Sequence, residues 1–499
     1  MRSSETRQLS FVFADSPSGG GRKQKTGAPV GRDFLLLKAE TRETNVPDTR
    51  AAREVRPSLH AAATERNLAT ALLHVARNKG AGGVDGRSVA EVVSESHRLI
   101  PRLRHALLSG TYRPGDIRRV WIPKPGGGRR GLGIPNVVDR VVQQAVLQIL
   151  DPVFDECFHD SSHGFRRGKG ALTAIEAAKR HLRSGRTWVV SIDLSRFFDR
   201  VNHQRLLARL GQRVQDGDLL QLVHRMLKAA VVMPDGTRTT TEEGTPQGGP
   251  LSPLLSNIVL DELDWELERR GLSFVRYADD FNVYVGSERA AHRVMSSLTR
   301  YIEKRLRLKV NRAKSTVDRP EQVHFLGFVL HRPTEDGHVA IGLSNRSWQR
   351  LRRRTRELTP RNWGRPFKEC CRELNRYIRG WSGYFRLCTA ECVERSLKFA
   401  DAHIRRRLRA IIVVQRKRTR NLVRLLVSRG VSPRAARLSA CSGKAWRQSH
   451  SWAVNRAFNN TWFRERLESL WSNWKRLNGY DENEVHTGQR GLPGLEISS

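Results

Sequence analysis

Three aspartates carry the strongest chemical signal in this chain. Asp279 and Asp280 lie side by side between two apolar runs, Phe274-Val275-Arg276-Tyr277-Ala278 before them and Phe281-Asn282-Val283-Tyr284 after. Nothing turn-like separates the runs except the acids, so the pattern predicts a β-hairpin with paired carboxylates at its tip. Adjacent acids at such a tip need a cation or solvent to neutralise them. Taken alone, the pair also fits an ordinary exposed turn. A third acid shifts the balance. Asp193 ends the apolar run Trp188-Val189-Val190-Ser191-Ile192 and leads into an aromatic turn, Phe197-Phe198-Asp199. One carboxylate on a strand beside two on a hairpin suits two-metal phosphoryl transfer. Carboxylate oxygens favour Mg²⁺, which shares its shell with substrate phosphates. Two Mg²⁺ ions, with Mn²⁺ an acceptable substitute, would activate an attacking hydroxyl and stabilise the leaving oxygen.

Other segments must bring a substrate to those acids. Residues 120–135 read as two short strands joined by a basic, glycine-rich turn. Lys124, Arg129 and Arg130 there could close over a triphosphate; a solvated hairpin is the alternative. Residues 161–170 form a short basic loop around Phe165, with Arg166 and Arg167 as candidates for gripping a nucleic-acid strand by charge and stacking. The other reading is a plain surface loop. Gly244-Thr245-Pro246-Gln247-Gly248-Gly249 precedes an amphipathic helix over 254–269. Its glycines allow close backbone approach to a ligand, and Gln247 offers both a donor and an acceptor. Helices are predicted from about residue 56, over 89–107 and over 137–150, with later strands at 307–310 and 323–330.

The whole composition points the same way. The chain has 499 residues, with 89 Lys and Arg against 50 Asp and Glu, a formal charge of +39. That surplus argues for a polyanionic partner, since neutralising phosphates releases counterions. The charge is spread along the chain, which disfavours a membrane-surface helix, and no apolar stretch approaches a membrane span. Six cysteines form no C-x-x-C pair, so neither a zinc site nor disulfides are implied, and reduced thiols are expected. No secretory signal is evident. Past residue 345 the composition shifts to basic helices with interleaved aromatics. There Ile404, Leu408, Ile411 and Ile412 face one way and Arg405, Arg406, Arg407 and Arg409 the other. Tryptophans 446, 452, 462, 471 and 474 are expected mostly to pack.

Together these motifs, in this order, resemble a bacterial group II intron reverse transcriptase/maturase over roughly residues 60–475. Residues 78–86 are similar to its N-terminal extension motif, 122–135 to its fingers motif and 161–169 to the loop motif that follows. Residues 193–199, 246–251 and 277–280 resemble its palm motifs, and 308–315 and 325–328 the last two. The resemblance makes Asp193 and Asp279 the principal metal ligands, supported by Asp280. It puts Phe198 where the family has a steric gate against a ribose 2′-hydroxyl, and Lys124, Arg130 and Gln247 at the nucleotide. Residues 374–384 look like the maturase signature, which carries Arg379. With Arg166, Arg167, Arg405, Arg406 and Arg409, this completes the RNA-binding candidates. Two departures stand out: Gly131 replaces the usual proline of the fingers motif, and Phe281 stands where small or sulfur-bearing residues are frequent.

The resemblance implies an α+β right-hand polymerase with a helical thumb and a small helical C-terminal segment. Its expected divisions are a disordered extension over 1–55, fingers and palm over 56–340, a thumb/maturase domain over 341–430, a short DNA-binding segment over 431–478 and a tail over 479–499. It implies an RNA-directed DNA polymerase that binds its parent intron RNA, an RNA template, a DNA target or primer and dNTPs. Its expected place is bacterial cytoplasm, in ribonucleoprotein or at the nucleoid. No His-Asn-His endonuclease module is expected after residue 480, and any mobility would then rely on existing 3′ ends or nicks. The alternatives are a splicing-only maturase, or a reverse transcriptase that has left its intron for repair or phage defence.

Overall fold

The protein, seen here as a computed structural model, is described over residues 56–123, 128–360 and 364–480. The expectations for residues 1–55, for Lys124 and for the tail beyond Tyr480 lie outside the described residues. The chain divides into two compact units between Asp318 and Arg319.

Among the described residues the first unit has eight strands: β1 (Ile117–Pro123), β2 (Arg129–Ile134), β3 (Trp188–Ile192), β4 (Val231–Val232), β5 (Arg238–Thr239), β6 (Ser273–Tyr277), β7 (Asp280–Val285) and β8 (Thr316–Asp318). They form two sheets, in the orders β2-β1-β4-β5 and β6-β7-β3-β8. In the second, β3 pairs antiparallel with both β7 and β8, with Ile192 opposite Phe281 and Ser191 opposite Thr316. Val189, Val190 and Ile192 of β3 and Phe281 and Val283 of β7 are buried. Each such side chain contributes roughly 1.5–3 kcal/mol on leaving water. The same core takes in helices Val137–Asp155 and Ser252–Arg269 through Val142, Val146, Leu255 and Leu260. Helix Glu65–Asn78 starts where the Thr64 hydroxyl accepts from Asn67 N–H and stops at Lys79, whose φ of 46° is left-handed. That helix buries Leu68, Leu72 and Val75 in the same core.

Three expectations change. The helix predicted over 89–107 is two helices, Val89–Ser94 and Ser96–Leu108, which part at Glu95. Residues 307–310 form no strand: Arg307 turns left-handed at φ 55°, and Val310 keeps a single bridge, to Leu194. Of residues 323–330 only Phe328–Leu330 (β9) is a strand, because Leu326 and Gly327 both turn to positive φ.

β9 pairs with Ile341–Leu343 (β10) and belongs to the second unit. The structural division therefore falls earlier than residue 340. Among the described residues the other elements of that unit are helices, led by Asn345–Leu358, Phe367–Tyr384 and Ala390–Gln415. The 374–384 segment lies on the second of these helices and works structurally. Tyr384 hydroxyl donates to the Leu326 carbonyl at 2.9 Å, and Asn375 accepts from Glu468 N–H at 2.9 Å while donating to the Arg466 carbonyl at 3.1 Å. Asp401 accepts from the Leu470 and Trp471 N–H groups and the Ser469 hydroxyl, capping helix Leu470–Leu477 from a distance in sequence. Trp471 and Trp474 stack at 5.1 Å, and both are buried. Residues 431–478 are thus packed into the same unit as the helices before them.

Candidate nucleotidyl-transfer site and basic surface

β6 and β7 meet in a two-residue turn, Ala278-Asp279, closed by Tyr277 opposite Asp280. Ala278 takes φ 55°, a conformation that such tight hairpin turns demand and alanine adopts at a cost. Asp193 follows directly on β3, the neighbour of β7, so sheet pairing brings its carboxylate toward the turn. Asp193 Oδ2 accepts from Asn311 Nδ2 at 2.8 Å and lies 3.6 Å from Lys314 Nζ. Its backbone N–H donates to the Ser315 hydroxyl at 3.1 Å.

The acids repel one another. Burial pushes the Asp279 carboxyl up, and the Asp193 charge adds to this, while Arg130 opposes it. Asp280 is pushed up to about 6 by loss of water and then by the charges of Asp279 and Asp193. The Asp280 side chain keeps an open edge to solvent. The like-charge repulsion is therefore the cause that survives best in open solvent.

Asp193 and Asp279 line a cleft of about 790 Å³ together with Arg129, Arg130, Phe198, Gln247, Asn311 and Lys314. The floor is built by close backbone approaches. Thr245 N–H donates to the Phe198 carbonyl at 2.6 Å, and Gly244, at φ 92°, lies so near that a Cβ would stand 2.7 Å from that same oxygen. Gly133 of β2 donates to the Gln247 carbonyl at 2.8 Å, and Gly248 has room for no Cβ against the Gly133 carbonyl. The strand that carries Arg130 and the loop that carries Gln247 are thereby held together. Phe198 packs edge-to-face on buried Phe197 at 5.3 Å. Sequence reasoning passes over Asn311 and Lys314 as individual residues, and also Trp121, a cleft residue 42% exposed. The signal for the first two is a polar cluster immediately after apolar Val310.

The arginine candidates divide. Arg166 is a correction: it is buried and spent on its own loop, donating to Asp155 Oδ1 at 2.7 Å and to the carbonyls of Phe158, His159, Ser162 and Asp155. No face is left for RNA. Arg167 is exposed and pairs with Asp151 at 2.9 Å. In the second unit Arg409 is buried too, donating to the Phe458 carbonyl at 2.9 Å beneath the Phe463 ring. Burial and the neighbouring Arg405 charge pull Arg409 down to about 10. Arg406 lies 4.2 Å over Trp446, and Arg405 is half-buried, its pKa lowered by burial. The predicted arginine face is therefore largely a packing face. Arg379 remains 61% exposed, paired with Glu468 at 2.8 Å.

A different set of cations is open to solvent. Between Asp401 and Glu465 the sequence contains no acid. Arg416, Lys417, Arg418, Arg420, Arg424, Arg434, Arg437 and Arg447 in that stretch are all exposed, and among the described residues none is in an ion pair. The missing acids are legible in the sequence; a composition count alone blurs them.

No helix of the described residues is long and apolar enough to cross a membrane. Residues 122–330 match the family of reverse transcriptases (RNA-dependent DNA polymerases), and residues 348–427 match the group II intron maturase-specific domain. Protein YkfC of Escherichia coli is 34% identical over 290 residues, covering 50% of this chain and 76% of YkfC. The group II intron-encoded protein LtrA of Lactococcus lactis is 38% identical over 170 residues, 34% of this chain and 28% of LtrA, so the chain spans less than a third of that relative. Among solved structures, the partial Cas6-RT-Cas1--Cas2 complex aligns over 49% of this chain and 42% of that chain at 24% identity and a TM-score of 0.32, too slight to argue from. With a reverse-transcriptase match followed by a maturase-domain match along one sequence, the chain belongs to the group II intron reverse transcriptases, RNA-directed DNA polymerases that carry a maturase domain.

Proposed function

We propose that the cleft transfers deoxynucleotides to a primer on an RNA template, and that the second unit binds the parent intron RNA to assist its splicing. The observation that carries the first half is the convergence of Asp193, Asp279, Arg130, Phe198 and Gln247 on one cavity. The donor set fits Mg²⁺. Among the described residues no three His, Cys, Asp or Glu side chains form a ready cage, and Mg²⁺ at such sites typically takes one or two carboxylates and completes its shell with substrate phosphates and water. The mutual repulsion of Asp193, Asp279 and Asp280 also leaves a negative charge for a cation to relieve.

Asp193 and Asp279 would hold two Mg²⁺ ions, with Asp280 beside them. When bound, the metal supplies activation of the primer hydroxyl and neutralises charge on the leaving group. The primer 3′-hydroxyl gives up its proton to solvent, its oxygen forms a bond to the α-phosphorus of the incoming dNTP, the bond to the β,γ-pyrophosphate breaks, and pyrophosphate leaves with the electron pair. Arg130 meets the triphosphate. Phe198, fixed by the Phe197 ring and the Gly244-Thr245 loop, packs under the sugar and excludes a 2′-hydroxyl. Gln247 hydrogen-bonds beside the sugar, and Asn311 orients Asp193.

For the second half, the match over 348–427 and the acid-free basic stretch support intron RNA as the partner. Exposed cations without acidic neighbours supply the salt-sensitive affinity that phosphate backbones reward. Retrohoming would follow by target-primed reverse transcription of the intron into DNA. The test is primer extension by purified protein on an RNA template with a DNA primer, dNTPs and Mg²⁺. Template-dependent cDNA is the expected product. Absence of cDNA with RNA binding intact would favour a splicing-only maturase, and cDNA synthesis by a protein blind to intron RNA would favour a role outside introns.

A further inference from the structure

Directly beneath the catalytic hairpin, Arg276 and Asp264 form an ion pair in which both side chains are 0% exposed. Isolated charges are rarely retained at that depth, since a buried pair is hard to justify on stability alone. The geometry shows what the guanidinium does there. Nε and Nη2 donate to the two Asp264 oxygens at 2.7 and 2.5 Å, and Nη1 donates to Asn257 Oδ1 at 2.9 Å. Nη1 also donates to the Ala278 carbonyl at 3.0 Å, in the turn that carries Asp279. Asn257 passes the constraint on, donating to the Gly164 carbonyl at 2.9 Å. Gly164 abuts the turn, since a Cβ there would stand 2.4 Å from Ala278 N. The backbone of Arg276 is clasped as well: its N–H donates to the Ser161 carbonyl at 2.9 Å, and its carbonyl accepts from His163 N–H at 2.8 Å.

We propose that Arg276, clamped by Asp264 and Asn257, is a positioning residue that holds the Ala278-Asp279 turn in its left-handed conformation and so fixes where the Asp279 carboxylate points. The inference rests on the polymerase reading of the cleft. A planar fork is required because one group must reach an acid, an amide and a peptide carbonyl at once; an ammonium cannot span all three. The residues 161–164 are then a brace for the turn, which explains why Arg166 is buried within that loop and unavailable to nucleic acid. Asp264, Asn257 and Arg276 touch no substrate, so their effect on chemistry passes entirely through the turn.

The experiment is single-turnover primer extension with the full-length protein, an RNA template, a DNA primer, dNTPs and Mg²⁺, comparing native protein with Arg276→Lys and Asn257→Ala. Rate and amplitude are separate readouts: misfolded protein lowers the amplitude, whereas a misplaced carboxylate lowers the rate. Asn257→Ala leaves the ion pair intact and carries the test if Arg276→Lys fails to fold. Misplacement of a reacting group by an ångström costs up to about a hundredfold, so the rate should fall between about tenfold and a hundredfold. The amplitude and the dNTP concentration for half-maximal rate should hold. Native rates in both folded variants, with only the amplitude reduced, would overturn the proposal and leave the network a purely structural one. Absence of product from native protein would overturn the polymerase reading itself, which is a distinguishable result.

Discussion

Asn311 grips Asp193 twice, its side-chain amide donating to Oδ2 at 2.8 Å and its backbone N–H donating to the Asp193 carbonyl at 2.8 Å. One residue therefore sets both the end of β3 and the direction of its carboxylate. Asn311→Leu should lower the DNA-synthesis rate by roughly tenfold or more, in line with the cost of misaligning a reacting group. RNA affinity should be unchanged. Steady-state primer extension beside an RNA-binding titration checks this.

Gly244→Ala tests how the floor of the cleft is built. The new Cβ would meet the Phe198 carbonyl at 2.7 Å from a backbone at φ 92°. Left-handed strain plus that clash should cost about 1–3 kcal/mol, read as a lower Tm. Because the displaced atom belongs to Phe198, ribonucleotide incorporation should rise relative to deoxynucleotide incorporation. Phe198→Ala should show the same loss of selectivity without the loss of stability from backbone strain.

Asp261 gives a pH signature away from the cleft. Burial, then the Asp264 charge, pushes it up to about 6, and among the described residues its Oδ1 has no hydrogen-bond partner. A carboxyl raised in the folded state stabilises fully below its unfolded value, and that stability drains away as pH rises through about 6. Asp261→Asn should therefore raise stability at pH 7.5 by at most about 3 kcal/mol, the roughly 1.36 kcal/mol carried by each pH unit being reduced by solvent screening of a carboxyl that is only partly buried. The gain should shrink toward nothing by about pH 4, near the unfolded value. Thermal melts at the two pH values decide it.

The basic surface makes a separable prediction. Replacing Arg416, Lys417, Arg418 and Arg420 together by Gln should weaken RNA binding and flatten its dependence on salt, by about one unit of slope for each phosphate no longer neutralised. Cleft chemistry on a short primer–template should be spared. Arg409→Gln should behave differently, lowering Tm because it leaves the Phe458 carbonyl without its buried donor.

The palm strands were legible because local pattern decides them. The apolar runs on either side of Asp279 and before Asp193 have the length and β-branched content of buried strands, and nothing distant in the chain was needed to see that. The arginines were not legible in the same way. Charge says a side chain wants partners without saying whether they are phosphates or carbonyls, and Arg409 finds its carbonyl at Phe458, 49 residues on. Arg276 escapes a sequence reading for the same reason, since its value lies in Asp264, Asn257 and Ala278, which only the fold assembles. Glycine and left-handed positions set the rest: Arg307 and Leu326 turn to positive φ where their apolar neighbours alone would predict strand.

The central claim is that one chain separates polymerase chemistry in the cleft from RNA recognition elsewhere, and Asp279→Ala tests it most directly. The measurement pairs primer extension with intron binding and a splicing assay on the same purified variant. The account predicts that DNA synthesis vanishes while intron binding and splicing assistance persist at close to native levels. Retained DNA synthesis, or loss of all three activities from a variant that melts like the native protein, would contradict it.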